Sequence, residues 1–363
     1  MATINEVMAR DGALDHFMTL TEKEVEDIRA DCFANDVTYN YDVLKHWDAD
    51  KVINFFENGG GGEGAAPLKA ADGTDPFEIP MPKEVTWQMN VAKTVAIITL
   101  NRPEAKNAMD DGIYEGLWRS CRRVLATPSL RVVFLTGSGA MFCAGGDPKT
   151  FQNTAAIMEE KTKAKAEGRP PKLKEPQKGE AFSDLLATIN NLPVYVVGLA
   201  NGSAMGGGFG LLSLCDMVIA RKNAFFALSE VKLGVIPATI SPYVVAKIGC
   251  SNARRLFMTG ETIHAQKAVE IGLVQEVVET ADEMMKAAQK ICEVMQSSAP
   301  HAAAAAKALV RTVQYKPITD ELVEYTQAEL IRVSCSKECE DGMLAVQQGK
   351  KAPWTQTPMD MPK

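Results

Sequence analysis

The sequence contains no run of about 18 apolar residues, the length that a membrane-spanning helix needs, although 46% of its 363 residues are hydrophobic. The start of the chain also lacks a basic stretch followed by an apolar one, the pattern of a secretory leader, and it is too acidic for an ordinary mitochondrial leader. We therefore expect a cytoplasmic protein with neither a membrane nor a nucleic acid as partner. The matrix of an organelle is the other compartment that the sequence leaves open.

Residues that bind metals or form disulfides do not occur at suitable spacings. None of the 8 cysteines forms a Cys-x-x-Cys pair, and the closest two are Cys335 and Cys339. A chain of this length without a secretory leader is expected to keep its thiols reduced. We therefore predict no metal site and no cofactor. The four histidines are scattered along the chain: His16, His46, His264 and His301.

Charged residues are unevenly distributed. The formal net charge is -7, but residues 1–84 contain 18 acidic and 7 basic residues, whereas the rest of the chain contains 28 and 32. The main body is therefore slightly basic, which suits a ligand that carries phosphate groups. Ordinary solvated surface charge explains the same numbers equally well.

Composition divides the chain into four parts. The composition and pattern of residues 1–58 predict an acidic, mostly helical extension. The composition of residues 59–84 predicts a glycine-rich linker. In residues 85–280, strand-like apolar segments alternate with helical patterns, which is typical of an α/β unit with crossover connections. Residues 281–363 predict a helical region, with helices at 281–297, 301–314, 319–334 and 336–349.

Two short glycine-rich segments each follow a strand-like apolar run. The first is MFCAGGD at 141–147, and the second is GSAMGGG at 202–208. Glycine lets a ligand approach the backbone closely, and a helix start offers unpaired N–H groups at a positive dipole end. Two such starts directed at one point hold an oxyanion, which indicates chemistry on a thioester carbonyl. The alternative is a pair of tight turns that pack a helix on a strand.

Glu230 is the one convincing acid–base candidate. It precedes the apolar residues Val231 and Leu233. A carboxyl group beside an apolar pocket has a raised pKa and can exchange protons at a substrate carbon. The alternative is a surface glutamate or one that caps a helix.

Four fragments in this order resemble the crotonase (enoyl-CoA hydratase/isomerase) superfamily. They are NRP and NAM within 101–109, FCAGGD at 142–147, the glycine and Cys-Asp motifs within 201–216, and SEVKLGVIP at 229–237. The resemblance covers about residues 85–354 and leaves the first 84 residues unexplained. It implies a crotonase-like spiral of ββα units, acyl-CoA substrates, and C-terminal helices that pack a homotrimer or a dimer of trimers.

The resemblance also implies roles for single residues. The backbone N–H groups of Ala144 and Gly207 polarise the carbonyl, and Glu230 is the acid–base catalyst. Lys106 and Lys149 lie where loops approach the CoA nucleotide, and Asp147 lies near its adenine. Plain surface positions are the alternative for the two lysines, and a turn or cap for Asp147. The substrate-binding set is Lys106, Ala108, Gly145, Gly146, Asp147, Lys149, Gly206 and Pro237.

Gly210 departs from the pattern of two-carboxylate hydratases, which have a second Glu shortly after the triple glycine. The sequence at 236–245 is instead similar to the 3-methylglutaconyl-CoA hydratase-like branch. The first hypothesis is reversible hydration of an enoyl-CoA or enoyl-carrier-protein with a branched acyl chain, in fatty acid or polyketide metabolism. The second is a Δ3,Δ2-enoyl-CoA isomerase that uses Glu230 alone. The third is a non-catalytic scaffold of the same fold.

Overall fold

The structure is a computed structural model that describes residues 75–147, 159–160, 162–169 and 181–362. The predicted extension at 1–58, the first part of the predicted linker and Lys149 lie outside the described residues. No helix in the part of the chain that the structure describes is both long and apolar enough to cross a bilayer.

A six-stranded sheet forms the centre of the fold. Its strands are β1 (Val85–Met89), β2 (Val95–Leu100), β3 (Val132–Gly137), β5 (Tyr195–Ala200), β7 (Met217–Arg221) and β10 (Glu276–Val278). They lie in the order β1-β2-β3-β5-β7-β10, and only β1 runs antiparallel to its neighbour. Successive residues of β2 enter different apolar clusters, Ile97 on one face and Ile98 on the other. Both faces of the sheet are therefore covered, as expected for parallel strands.

A second, smaller sheet carries the glycine-rich segments. Its strands have three residues each and are β4 (Met141–Cys143), β6 (Ser203–Met205), β8 (Phe225–Ala227) and β9 (Thr262–His264). They lie in the order β4-β6-β8-β9. The first three are parallel to one another, and β9 is antiparallel to β8. The carboxyl ends of three neighbouring strands therefore meet at one edge.

Helices in the described part of the chain pack on the two sheets. They are α1 (Asp111–Leu125), α2 (Phe182–Asn191), α3 (Gly207–Leu214), α4 (Ser241–Thr259) and α5 (Ala265–Glu270). Every residue of α3 after Gly207 is buried, so this helix has no polar face and lies inside the core. Gly249 interrupts α4 with φ 77° and ψ 157°, which divides it into two helical segments.

The C-terminal region is helical, and the structure confirms the four predicted helices. They are α6 (Ala281–Ser297), α7 (Pro300–Val313), α8 (Asp320–Ser334) and α9 (Lys337–Gln347). Side-chain oxygens of Thr280, Thr319 and Ser336 accept hydrogen bonds from the first turns of α6, α8 and α9. Pro300 occupies the first position of α7, where its missing N–H costs nothing.

Residues 75–84, which composition assigned to a linker, are held against α1. The Arg123 guanidinium donates to the carbonyl oxygens of Pro76 at 3.2 Å and Ile79 at 3.0 Å. It also lies 5.2 Å from the centre of the Phe77 ring. The linker boundary at residue 84 is therefore corrected, because the folded unit already includes Asp75.

Candidate active site

Three candidate groups follow three neighbouring strands of the small sheet. Gly145 and Gly146 come after β4, Gly206 and Gly207 come after β6, and Glu230 comes after β8. These strands are parallel, and ligands of parallel sheets bind beyond the carboxyl ends of the strands. The topology therefore brings together residues that are 84 positions apart in the sequence.

Gly207 occupies the first position of α3, and its N–H has no acceptor in the part of the chain that the structure describes. Gly206 before it has φ +50° and ψ -120°, a conformation that a side chain disfavours. No side chain caps this helix. The first N–H groups of a helix have no intrahelical partner and lie at its positive end. The N–H of Gly207 is therefore able to donate to a substrate oxygen.

The second candidate donor is Gly146, because the N–H of Ala144 is already paired. The N–H of Ala144 already donates to the carbonyl oxygen of Lys106 at 3.0 Å. Among the described residues, no acceptor is found for the N–H of Gly146. Its nitrogen lies 3.8 Å from the point that a Cβ on Gly207 would occupy. The geometry therefore opposes the expected role of Ala144 and assigns that role to the glycine two residues later.

Gly145 turns the chain so that this second donor faces α3. Its φ is +95°, and a Cβ added there would lie 2.8 Å from the carbonyl oxygen of Met205 and 3.4 Å from the nitrogen of Gly207. A residue with a side chain would therefore be strained by its backbone and would collide with the neighbouring turn. Gly145 shapes the site by its lack of a side chain.

Glu230 begins a short 3₁₀ turn that ends at Leu233. Its Oε1 lies 3.2 Å from the point that a Cβ on Gly206 would occupy, so the carboxyl group faces the start of α3. Its Oε2 is buried and has no hydrogen-bond partner among the described residues. Burial raises the pKa of Glu230 above its ordinary value. A carboxyl group with one free oxygen and a raised pKa is suited to exchanging protons.

Asn107 holds the two loops beneath the first glycine segment, a role that sequence analysis missed. It is fully buried, and its side chain donates to the carbonyl oxygens of Ser138 at 2.9 Å and Met141 at 2.8 Å. It also accepts from the N–H of Arg102 at 2.8 Å. The only sequence signal was its place in the NRP and NAM fragment, which did not reveal these partners.

Arg102 neutralises Asp147. Its guanidinium lies 3.2 Å from the Asp147 carboxylate and 3.1 Å from that of Asp110, and it donates to the carbonyl oxygen of Ala108 at 2.5 Å. Asp147 therefore serves first as an ion-pair partner that holds its loop to the strand end of β2. A contact between Asp147 and adenine stays a prediction.

The other predicted substrate residues lie on the surrounding loops. The Lys106 side chain is exposed, and Lys106 has φ 55° at the end of a 3₁₀ turn. Ala108 is buried beneath that loop. Pro237 is buried between the turn of Glu230 and α4. Lys149 lies outside the described residues, so its role is a prediction.

No metal-binding geometry occurs in the described ranges, where no three His, Cys, Asp or Glu side chains are grouped to hold an ion. Cys143 lies two residues before Gly145, but its side chain is buried, and burial raises the pKa of this thiol to about 12. A thiol with that pKa remains protonated and is a poor nucleophile. The chemistry of the site therefore lies with the two N–H groups and Glu230.

Two N–H groups without an acceptor among the described residues, together with the free Oε2 of Glu230, form an arrangement that is suited to polarising a carbonyl and moving a proton. The chain matches the family described as enoyl-CoA hydratase/isomerase over residues 90–357, and it belongs to that family of enzymes.

Curated relatives in this family include hydratases and dehydratases. An enoyl-CoA hydratase of Alternaria alternata, AKT6-1, is 31% identical over 260 residues, which is 72% of this chain and 80% of the relative. A carnitinyl-CoA dehydratase of Proteus mirabilis is 32% identical over 270 residues, which is 72% of this chain and 95% of the relative.

Solved structures confirm the fold expected from the resemblance. An enoyl-CoA hydratase from Shewanella pealeana matches with a TM-score of 0.66 and 28% identity, over 75% of this chain and 96% of that chain. AtuE of Pseudomonas aeruginosa matches with a TM-score of 0.64 and 31% identity, over 75% and 100%. The α/β crotonase-like architecture is therefore shown for the main body of the chain.

Proposed function

We propose that the chain adds water reversibly to the 2,3 double bond of an enoyl thioester with a branched acyl chain, carried by CoA or by an acyl-carrier protein. The observation that carries this proposal is the partly buried carboxyl group of Glu230 beside the start of α3, whose Oε2 is buried and has no hydrogen-bond partner among the described residues. Relatives named for hydration and for dehydration support a reaction of water in either direction.

The first step polarises the substrate. The thioester oxygen accepts hydrogen bonds from the N–H groups of Gly146 and Gly207, and the positive end of α3 adds to their effect. As the double bond reacts, negative charge collects on this oxygen in an enolate-like state. Donors that are already in place stabilise that state more than the ground state, and they need no reorganisation.

The second step moves one proton through Glu230. The carboxylate takes a proton from water as the water oxygen forms a bond to C3, and the π electrons move onto the thioester oxygen. The protonated carboxyl then returns a proton to C2, which restores the thioester carbonyl. The reverse sequence removes C2–H and releases hydroxide from C3 as water. A single carboxyl group serves both directions because its pKa is raised toward the working pH.

A Δ3,Δ2-enoyl-CoA isomerase is the second candidate. Here Glu230 takes a proton from C2 of a 3-enoyl thioester and returns it to C4, with no water consumed. The observation that favours it is Gly210, which offers no second acid–base side chain near Glu230. We do not propose the non-catalytic scaffold, because the relatives are named as enzymes.

The remaining parts of the proposal concern the substrate carrier and assembly. Lys106 and Lys149 bind the phosphates of CoA, and the substrate's CoA is the only coenzyme required. The C-terminal helices pack a homotrimer or a dimer of trimers, and exposed apolar residues on these helices support this arrangement. The cytoplasm remains the proposed location.

Glu230→Gln tests the mechanism. The variant keeps the shape of the side chain but cannot move the proton, so kcat should fall by at least about 10²-fold with little change in KM. Glu276→Gln, on the exposed edge of β10, is the control and should keep full activity. Mass analysis of products formed in ¹⁸O-water separates the candidates, because a hydratase places the label at C3 and an isomerase does not. Full activity in Glu230→Gln would disprove both mechanisms.

A further inference from the structure

Gly210 is a residue of α3, and it lies on the side of this helix that Glu230 faces. The N–H of Gly210 donates to the carbonyl oxygen of Gly206 at 3.1 Å, so these two glycines are one helical turn apart. Residues four positions apart on a helix are neighbours on its surface. The Glu230 carboxyl group faces Gly206. A side chain at position 210 would therefore extend beside that carboxyl group.

Ile240 already occupies this space. A Cβ added to Gly210 would overlap Cγ2 of Ile240, and it would lie 2.8 Å from its Cβ and 3.3 Å from its Cδ1. Ile240 is 4% exposed and directly precedes α4. Its carbonyl oxygen accepts from the N–H of Val244 at 3.1 Å. Because a β-branched side chain is stiff and its Cβ is fixed by the backbone, it cannot move aside easily.

We propose that Ile240 is a specificity-determining residue that fills the space beside Glu230 and restricts the site to chemistry with one carboxyl group. The inference rests on the proposed role of Glu230. The absence of a second carboxylate therefore depends on two residues, because Ile240 would exclude any side chain from position 210. It also selects against substrates whose hydration needs a second acid–base group, such as unbranched enoyl thioesters.

The steric part of the proposal is tested without any substrate. Gly210→Ala should lower the melting temperature by several degrees when Ile240 is present. The loss should be smaller when Ile240 is also changed to Ala, because this change removes the overlapping Cγ2 and the Cδ1 and leaves only the Cβ contact at 2.8 Å. Ile248→Ala is the matched control, because Ile248 is a 3% exposed residue of α4, the helix that Ile240 precedes, and is absent from the nearest neighbours of position 210. If Gly210→Ala lowers the melting temperature equally in the wild type, in Ile240→Ala and in Ile248→Ala, the proposal is overturned.

The functional part is tested with Gly210→Glu combined with Ile240→Ala. This pair places a second carboxyl group in the opened space, so kcat/KM for hydration of crotonyl-CoA should exceed that of Ile240→Ala by at least about tenfold. Gly210→Glu alone, or with Ile248→Ala, should show no gain. A folded pair without the gain would overturn the proposal. If the longer side chain prevents folding, Gly210→Asp with Ile240→Gly is measured in the same way and judged by the same gain.

Failure of the proposed function gives a different result. If Glu230→Gln leaves turnover unchanged, the acid–base role of Glu230 is lost, and with it the functional part of this inference. The coupling of melting temperatures between positions 210 and 240 would still show whether Ile240 excludes a side chain. The two conclusions are thus separated by two measurements, one of stability and one of activity.

Discussion

The core and the C-terminal helices use similar apolar residues but bury them to different extents. Phe134, Phe142 and Phe209 of the core are fully buried. By contrast, α7 contains no fully buried residue, and α8 contains only Glu329. Large apolar side chains remain exposed along this region: Val310, Tyr315, Ile318, Val323, Leu330, Met343, Leu344 and Val346.

Polar contacts nevertheless fix the C-terminal helices in place. Lys307 of α7 donates to the Asp216 carboxylate at 2.7 Å and to the carbonyl oxygen of Val194 at 2.9 Å. The Glu338 carboxylate accepts from the first N–H groups of α7. Lys307 thus attaches the region to the core, and Glu338 joins α9 to α7, while the apolar side chains named above remain exposed. This difference suggests that the core supplies the chemistry and the helices supply a surface for another subunit.

A change in the core should have the largest effect, and it should alter activity without altering assembly. Gly207→Pro removes one proposed donor while proline remains acceptable at the first position of α3. We expect kcat to fall about 10²–10³-fold. Gly207→Ala is the control, because it keeps the N–H and brings the same Cβ toward the flexible end of Met109.

Circular dichroism and size-exclusion chromatography establish that both Gly207 variants are folded and assembled. A Gly207→Pro enzyme that is intact and fully active would show that the donor lies elsewhere. Equal losses of kcat in the proline and alanine variants would assign the effect to the added side chain rather than to the missing N–H.

A change in the C-terminal helices should have the opposite character. Leu330 is 68% exposed on α8, so Leu330→Asp should leave the subunit fold intact but should disrupt association, measured by light scattering. Val91→Asp is the control, since Val91 is fully exposed in the turn between β1 and β2. Unchanged association in Leu330→Asp would remove this residue from the proposed subunit contact.

The beginning of the folded unit should have a moderate effect on stability. A chain that begins at Asp75 keeps the hydrogen bonds from Arg123 to Pro76 and Ile79, and it should melt close to the full chain. A chain that begins at Val85 loses them and leaves a partly buried guanidinium without those acceptors. We expect its melting temperature to fall by about 3–5 °C. Equal melting of the two shortened chains would contradict this boundary.

The smallest effect concerns the burial of Glu230. Its pKa in the folded chain lies above 4.5, so the folded state is stabilised by protonation, and stability is lost as the pH rises through the raised pKa. Glu230→Gln should therefore melt about 1–3 °C above the wild type at pH 7, and this difference should disappear below pH 4.5. The same raised pKa should limit kcat/KM on the acid side, because the reaction begins with the carboxylate.

Local patterns in the sequence were enough for much of the fold. The apolar run Val95–Leu100 is a strand as predicted, and the four C-terminal helices begin within one residue of their predicted starts. These elements follow from periodicity and capping residues that lie next to one another in the chain. The resemblance also singled out both glycine segments and Glu230, which the structure places at the carboxyl ends of β4, β6 and β8.

Features that depend on distant partners could not be predicted. The N–H of Ala144 is unavailable because Lys106 supplies a carbonyl oxygen 38 positions earlier, so neighbouring residues give no sign of it. Gly210 is informative only beside Ile240, which is 30 positions away. Residues 75–84 have the composition of a linker but are fixed by Arg123. In each case a tertiary contact overrides the local pattern.

The order of the three short strands has a consequence for synthesis of the chain on the ribosome. The donor loop after β4 is made first, and Glu230 follows 84 residues later than Gly146. At typical elongation rates of about 5–20 residues per second, this interval lasts about 4–17 s. During that time β4 and then β6 expose an unpaired edge to other nascent chains. When β8 is made, it covers that edge and brings Glu230, but its own outer edge stays unpaired until β9 is made. The candidate catalytic groups are therefore complete before the small sheet is protected from aggregation.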